Sequence, residues 1–211
     1  MSDLAYTLLT DGSSDRMLQP VLDWLLLAHA RVPFTRQWAD LRQLRVAPSS
    51  LRQRIDQALA LYPCDLLFVH RDAEKGSHEE RIEEIAAALD RGSSIAHVPV
   101  IPVRMMEAWI FFDEDAIRRA AGNPAGNIPL PLPTARSVER LPDPKEALDN
   151  LLRKASELSG RRLENLRMGP AKHRVAELIT DYSPLRQLSA FSALETQLVS
   201  VLTEHDWIRP R

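Results

Sequence analysis

The sequence predicts an α/β fold: a mainly parallel sheet flanked by helices, followed by a C-terminal helical lobe. Three observations predict it. Short apolar, β-prone runs alternate with one-sided helical patterns through the first half of the chain, the signature of parallel strands joined by crossover helices. The run Leu66-Leu67-Phe68-Val69 is continuously apolar, as in strands buried on both faces. From Pro144 onward the periodic segments all read as helix.

Each element follows from its residues. Ala5 to Thr10 is a strand, halted by Asp11-Gly12-Ser13-Ser14. Met17, Leu18, Val21, Leu22, Leu25 and Leu26 then mark an amphipathic helix, which Ser13 or Ser14 can cap. Residues 41–47 read as a second strand around Leu44 and Val46. Ser49 or Ser50 caps a helix through Leu61 that stops before Pro63. The strand at 66–69 ends in His70-Arg71-Asp72-Ala73-Glu74-Lys75-Gly76, and a charged helix runs from Ser77 to Leu89. The prolines of Val98-Pro99-Val100-Ile101-Pro102-Val103 favour an edge or an irregular strand. Helices are expected over Met106–Phe112, Asp113–Ala121, Pro144–Ser156, Pro170–Thr180 and Ser189–His205, with Asp143 capping a helix that has Pro144 at its first position. The expected division is an α/β domain over 1–121, a proline-rich loop or linker over 122–142, and a helical lobe packed on that domain over 143–211.

Composition narrows the function classes. Of 211 residues, 45% are hydrophobic, which excludes disorder and fibrous repeats. A net charge of −2 excludes a general basic coat for polyanions. The single cysteine, Cys64, forbids an internal disulfide and a cysteine-based metal site. No signal peptide is evident, and apolar runs such as Trp24–Ala28 fall far short of the ~20 residues that span a bilayer. A cytoplasmic protein is expected.

Acidic residues gather where a parallel sheet binds ligands, beyond the carboxyl ends of its strands. Asp11 and Asp15 follow the first strand, Asp72 and Glu74 the strand at 66–69, and Glu107 the strand at 98–103. Converging carboxylates need a cation, and Mg²⁺ takes one or two of them together with phosphate oxygens. Other readings stand beside this one. Asp11 and Asp15 can be a turn residue and a first-turn acid stabilised by the helix dipole, Asp72 and Glu74 a solvated loop, and Glu107 the ion-pair partner of Arg104. His70, His78 and His97 show no metal-ligand spacing, and Trp109, Phe111 and Phe112 read as core. Segment 140–174 carries nine Lys or Arg against five Asp or Glu, a basic surface for a phosphate backbone or an ordinary solvated helix face.

Thr10-Asp11-Gly12-Ser13-Ser14-Asp15 and the later Asp72-Ala73-Glu74 resemble the first and second motifs of the TOPRIM domain. Segments at Met106-Glu107-Ala108-Trp109-Ile110, Asp143-Pro144-Lys145-Glu146 and Lys172-His173-Arg174 are similar to those of small bacterial TOPRIM-like proteins of unassigned function, related to the TOPRIM domain of OLD-type nucleases. The resemblance implies a nuclease, a hydrolase of DNA or RNA phosphodiesters that needs Mg²⁺ or Mn²⁺. DNA is the favoured substrate, and a role in defence against phage or foreign DNA is implied. It implies metal binding by Asp11, Asp72, Glu74 and Glu107, and catalysis by Asp11, Asp72, Glu74 and Lys172. Contacts to nucleic acid would come from Lys145, Arg161, Arg162, Arg167 and Arg174. The chain has no ATP-binding loop, so an ATPase would be a separate partner, and a homo-oligomer is compatible. Two residues depart from the TOPRIM pattern: Asp11 stands where Glu is usual, and Glu74 replaces the second Asp. The alternative implied by these departures is an inactive binding or regulatory subunit.

Overall fold

A computed structural model of the chain describes residues 3–73, 76–89 and 94–210, without the side chains of 135 and 136. Glu74, expected to be catalytic, lies outside the described residues. The strands are β1 (Leu4–Leu9), β2 (Phe34–Trp38), β3 (Leu66–His70) and β4 (Ala96–Val100). The first helices are α1 (Gln19–His29), α2 (Leu51–Leu61) and α3 (His78–Leu89). Next come α4 (Glu114–Ala120), α5 (Ala135–Val138) and α6 (Pro144–Ser156), then α7 (Gly160–Glu164), α8 (Met168–Leu178) and α9 (Ser189–Glu204). The chain forms two compact units, Met1–Ile101 with Ala193–Arg211, and Pro102–Ser192.

The first unit is a four-stranded, wholly parallel sheet in the order β2-β1-β3-β4. Strand alternation sends side chains to two layers. Tyr6 and Phe68 meet edge to face at 5.3 Å, and the Tyr6 hydroxyl donates to Asp23 Oδ1 of α1 at 2.6 Å. Burial, then the Asp23 charge, pushes that hydroxyl well above its ordinary pKa. On the other face Leu9, Leu67 and Val69 pack with Ile55 and Ala58 of α2 and Ile85 and Leu89 of α3. β3 is buried at every position, as its unbroken apolar run requires. β4 is an edge strand, the place where its proline is tolerated.

One expected strand is displaced. β2 lies at Phe34–Trp38, and the expected segment holds only a 3-10 turn over Leu41–Gln43. β2 is the other edge, half exposed, so polar Thr35, Arg36 and Gln37 are tolerated there and blunt the apolar signal. Asp40 then ends the strand region by accepting the Arg42 N–H at 3.2 Å.

The second unit begins with a 3-10 helix over Met106–Ile110, all of it buried. Trp109 meets Phe191 edge to face at 5.5 Å, and Leu148, Leu152 and Val175 are fully buried. The predicted cap of α6 is present: Asp143 Oδ1 accepts the Glu146 N–H at 2.8 Å, with Pro144 in the first turn. After α6, Glu157 adopts a left-handed conformation (φ 54°). It accepts the N–H groups of Asn127 and Ile128 at 2.8 and 3.0 Å. Those bonds hold its carboxyl below the usual range and pin the proline-rich stretch. Among the described residues, no helix is long and apolar enough to cross a membrane.

Candidate functional site

In the order β2-β1-β3-β4 the connections that leave β1 and β3 run in opposite directions, from β1 to β2 on one side and from β3 to β4 on the other. The crevice beyond the carboxyl ends of β1 and β3 is therefore the topological switch point, where open parallel sheets bind ligands. Asp11 and Asp15 follow β1, and His70, Arg71 and Asp72 end or follow β3. Parallel pairing of the two strands, with Leu9 opposite Val69, brings both segments to this crevice.

His70 joins the two segments. Its ring is fully buried, with Nε2 at 3.2 Å from Asp72 Oδ1 and Nδ1 at 3.6 Å from Asp15 Oδ2. The Nδ1 atom has no hydrogen-bond partner; its neighbour is the Asp15 carboxylate. Asp15 is itself fixed, since Oδ2 accepts the Gly12 N–H and Oδ1 the Ser14 hydroxyl, each at 2.9 Å. That is the local role a first-turn acid takes, and it simultaneously points the carboxylate at His70. Sequence spacing gave no reason to single out this histidine, because its partners lie 55 positions upstream and two downstream. The available signal was its place at the end of a wholly buried strand.

Asp11 is the most open acid here, with its side chain 41% exposed. It is also paired with two cations. Arg54 of α2 bonds both its carboxylate and the Thr10 carbonyl, and Arg71 Nη1 lies 3.2 Å from the same carboxylate oxygen. Arg71 Nη2 reaches Glu84 at 3.1 Å, and Arg81 joins Glu84 at 2.8 Å while its Nε donates to the Asp72 carbonyl at 3.2 Å. A string of arginine forks thus borders the acids.

Among the described residues, no three His, Cys, Asp or Glu side chains stand close enough to hold a metal ion by themselves. The donor chemistry nevertheless suits a hard divalent ion completed by substrate. Such an ion needs only one or two carboxylates beside phosphate oxygens and water. Asp72, 27% exposed, keeps its second oxygen without a partner among the described residues.

Glu107 and Lys172 are brought together, both within the second unit. Lys172 Nζ lies 3.4 Å from Glu107 Oε1 and 3.3 Å from Asp149 Oδ1, with side-chain exposures of 5% for Lys172 and 7% for Glu107. Lys172 of α8 reaches Glu107 from 65 positions downstream. Lys145, Arg161, Arg162, Arg167 and Arg174 are exposed, and Arg174 pairs with Glu177 at 3.1 Å. They form solvent-facing parts of the helical unit.

A wide groove lies at the opposite end of the sheet, lined by Cys64, Asp65, Ile95, His205 and Trp207. Asp65 there accepts the Ala5 N–H at 2.8 Å, and burial pushes the Cys64 thiol up, away from thiolate reactivity. Among the described residues, the groove lacks the paired acids found at the carboxyl ends. The chain matches no protein-family model, no curated protein sequence and no solved structure.

Proposed function

We propose that the crevice beyond β1 and β3 is a phosphodiester-hydrolysing site, TOPRIM-like in plan, that works with Mg²⁺ or Mn²⁺ on nucleic acid. The observation that carries this reading is the convergence of Asp15 and Asp72 on the buried His70 at the switch point, with Asp11 and two arginine forks beside them. Asp72 and Asp11 are the accessible oxygen donors. The bound cation would neutralise phosphoryl charge and lower the pKa of the attacking water. Arg54 and Arg71 present planar forks that match phosphate oxygens, and Asp11 is where they are held between substrates. His70 keeps Asp72 oriented, and Asp15 keeps His70 in place. Glu107 and Lys172 serve as a buried architectural pair in this reading.

A second reading, a binding subunit without catalysis, is favoured by one observation: Asp11 already has its charge met by Arg54 and Arg71. Plasmid cleavage by purified protein separates the two. In millimolar Mn²⁺ the wild type should nick supercoiled DNA and melt at a higher temperature, because a ligand of the native state stabilises it. Asp72→Asn should lose at least ~100-fold in cleavage and most of the thermal shift. A wild type that neither cleaves nor responds to Mn²⁺ sinks the catalytic reading.

A further inference from the structure

Trp38, the last residue of β2, stands beside the same crevice and has no part in the chemistry just described. Its indole N–H donates to Thr10 Oγ1 at 3.0 Å, and the Thr10 hydroxyl in turn donates to the Gly12 carbonyl at 2.7 Å. The ring is thereby tied to the loop that carries Asp11 and Asp15. Two guanidinium groups lie over it, Arg42 at 5.2 Å and Arg16 at 5.7 Å from the ring centroid. Each is held from its other edge. Asp40 binds Arg42 through two bonds of 2.7 Å, and Gln19 accepts from Arg16 Nε at 3.2 Å. The Arg42 bond is also the main cause that holds the Asp40 carboxyl below its usual range.

A surface cation–π contact alone stabilises by only ~0.5–1 kcal/mol. Here a half-buried tryptophan at the end of an edge strand meets two flat guanidinium groups and their two anchoring side chains from the neighbouring segments. Fixed aromatic and guanidinium planes are what unpaired bases stack upon, while fork edges meet phosphates. Duplex DNA hides its base faces and offers nothing to such planes. The charge balance points the same way: Arg42 is already matched by Asp40, and the whole chain is at −2. Binding here would draw on stacking more than on counterion release.

We infer that Trp38, Arg16 and Arg42 form a stacking platform for an unpaired nucleobase, so that the substrate at the adjacent crevice is single-stranded nucleic acid. The inference rests on the phosphodiesterase reading for its substrate class, and its test is independent of cleavage. In EDTA, fluorescence anisotropy with a labelled oligothymidylate should show tighter binding than with a duplex of equal length. Trp38→Ala should weaken oligothymidylate binding by about tenfold or more, the range for loss of one base stack. Its salt dependence should stay unchanged. Trp38→Phe, which keeps a stacking face, should retain most of the affinity and serves as the folding control. Arg16→Ala should reduce the salt slope by the share of one phosphate, ~0.7 on the logarithmic scale. Wild-type preference for duplex, or equal oligothymidylate affinity in wild type and a folded Trp38→Ala, overturns the platform even if Mn²⁺-dependent cleavage is found. Strand binding that depends on Trp38 in a protein that never cleaves upholds the platform and removes the catalytic reading alone.

Discussion

Two polar clusters divide the unusual residues of this protein, and they are built on opposite principles. At the carboxyl ends of β1 and β3, acids and arginines share a rim that water reaches: Asp11 is 41% and Asp72 27% exposed. In the helical unit Glu107, Asp149 and Lys172 meet where Glu107 and Lys172 are almost wholly enclosed. Forks and carboxylates partly open to water can exchange partners at lower cost, because solvent screens each broken pair. A sealed set cannot, since separating its charges strands one in low dielectric. The first arrangement is suited to taking up a ligand, the second to fixing three elements against one another: the 3-10 helix at 106–110, α6 and α8.

Removing the enclosed Lys172 ammonium should have the largest effect. Lys172→Met takes from Glu107 and Asp149 the ammonium they share, and should cost ~3–5 kcal/mol of stability in a urea titration. Adding Glu107→Gln and Asp149→Asn should return much of the loss, because the buried charge is then gone altogether. A single variant within ~1 kcal/mol of wild type would show that Lys172 is solvated in practice and free for other work.

The sequence made the scaffold of the rim legible and left its wiring hidden. The unbroken Leu66–Val69 run, the helix stopped before Pro63 and the Asp143-Pro144 start all appear where their residues place them. These are local signals, set by periodicity, capping chemistry and the fixed proline backbone. Trp38 and the true β2 were missed because an edge strand tolerates polar residues, so its pattern is weak. The partners of Asp11 come from 43 and 60 positions downstream, and no local rule reports a long-range ion pair. The ion-pair reading of Glu107 offers a neighbour in sequence, Arg104, whereas the structure brings Lys172 to it from 65 positions downstream.

A smaller effect is expected at the surface of the helical unit. Arg161, Arg162 and Arg167 are exposed cations of the second unit. Reversing all three to Glu should leave stability within about 0.5 kcal/mol while weakening DNA binding. The slope of log affinity against log salt should flatten by ~0.9 for each phosphate no longer neutralised. An unchanged slope would show that these charges only solvate their helices, leaving nucleic-acid binding to the first unit.

The smallest effect concerns a carboxylate that lacks what Glu107 has. Glu139, just after α5, takes the backbone N–H of Ala190, but its Oε1 is buried with no hydrogen-bond partner. No ion pair reaches it among the described side chains, and burial pushes its carboxyl above the ordinary glutamate value. The sign of the consequence follows by linkage. Below the range where an unfolded glutamate titrates, both states hold the proton and ionisation contributes nothing. As pH rises through that range the unfolded chain ionises first, so the native state loses relative stability until its own raised value is passed. Above it the loss is constant. Glu139→Gln keeps an acceptor for Ala190 and removes the charge, so it should raise the melting temperature near neutral pH, by no more than ~2–4 °C for a chain of this size. The gain should fade as pH falls below the usual carboxylate range. If the gain persists undiminished at low pH, packing rather than ionisation is responsible, and a half-buried acid in this unit does not need a cation such as Lys172 to be tolerated.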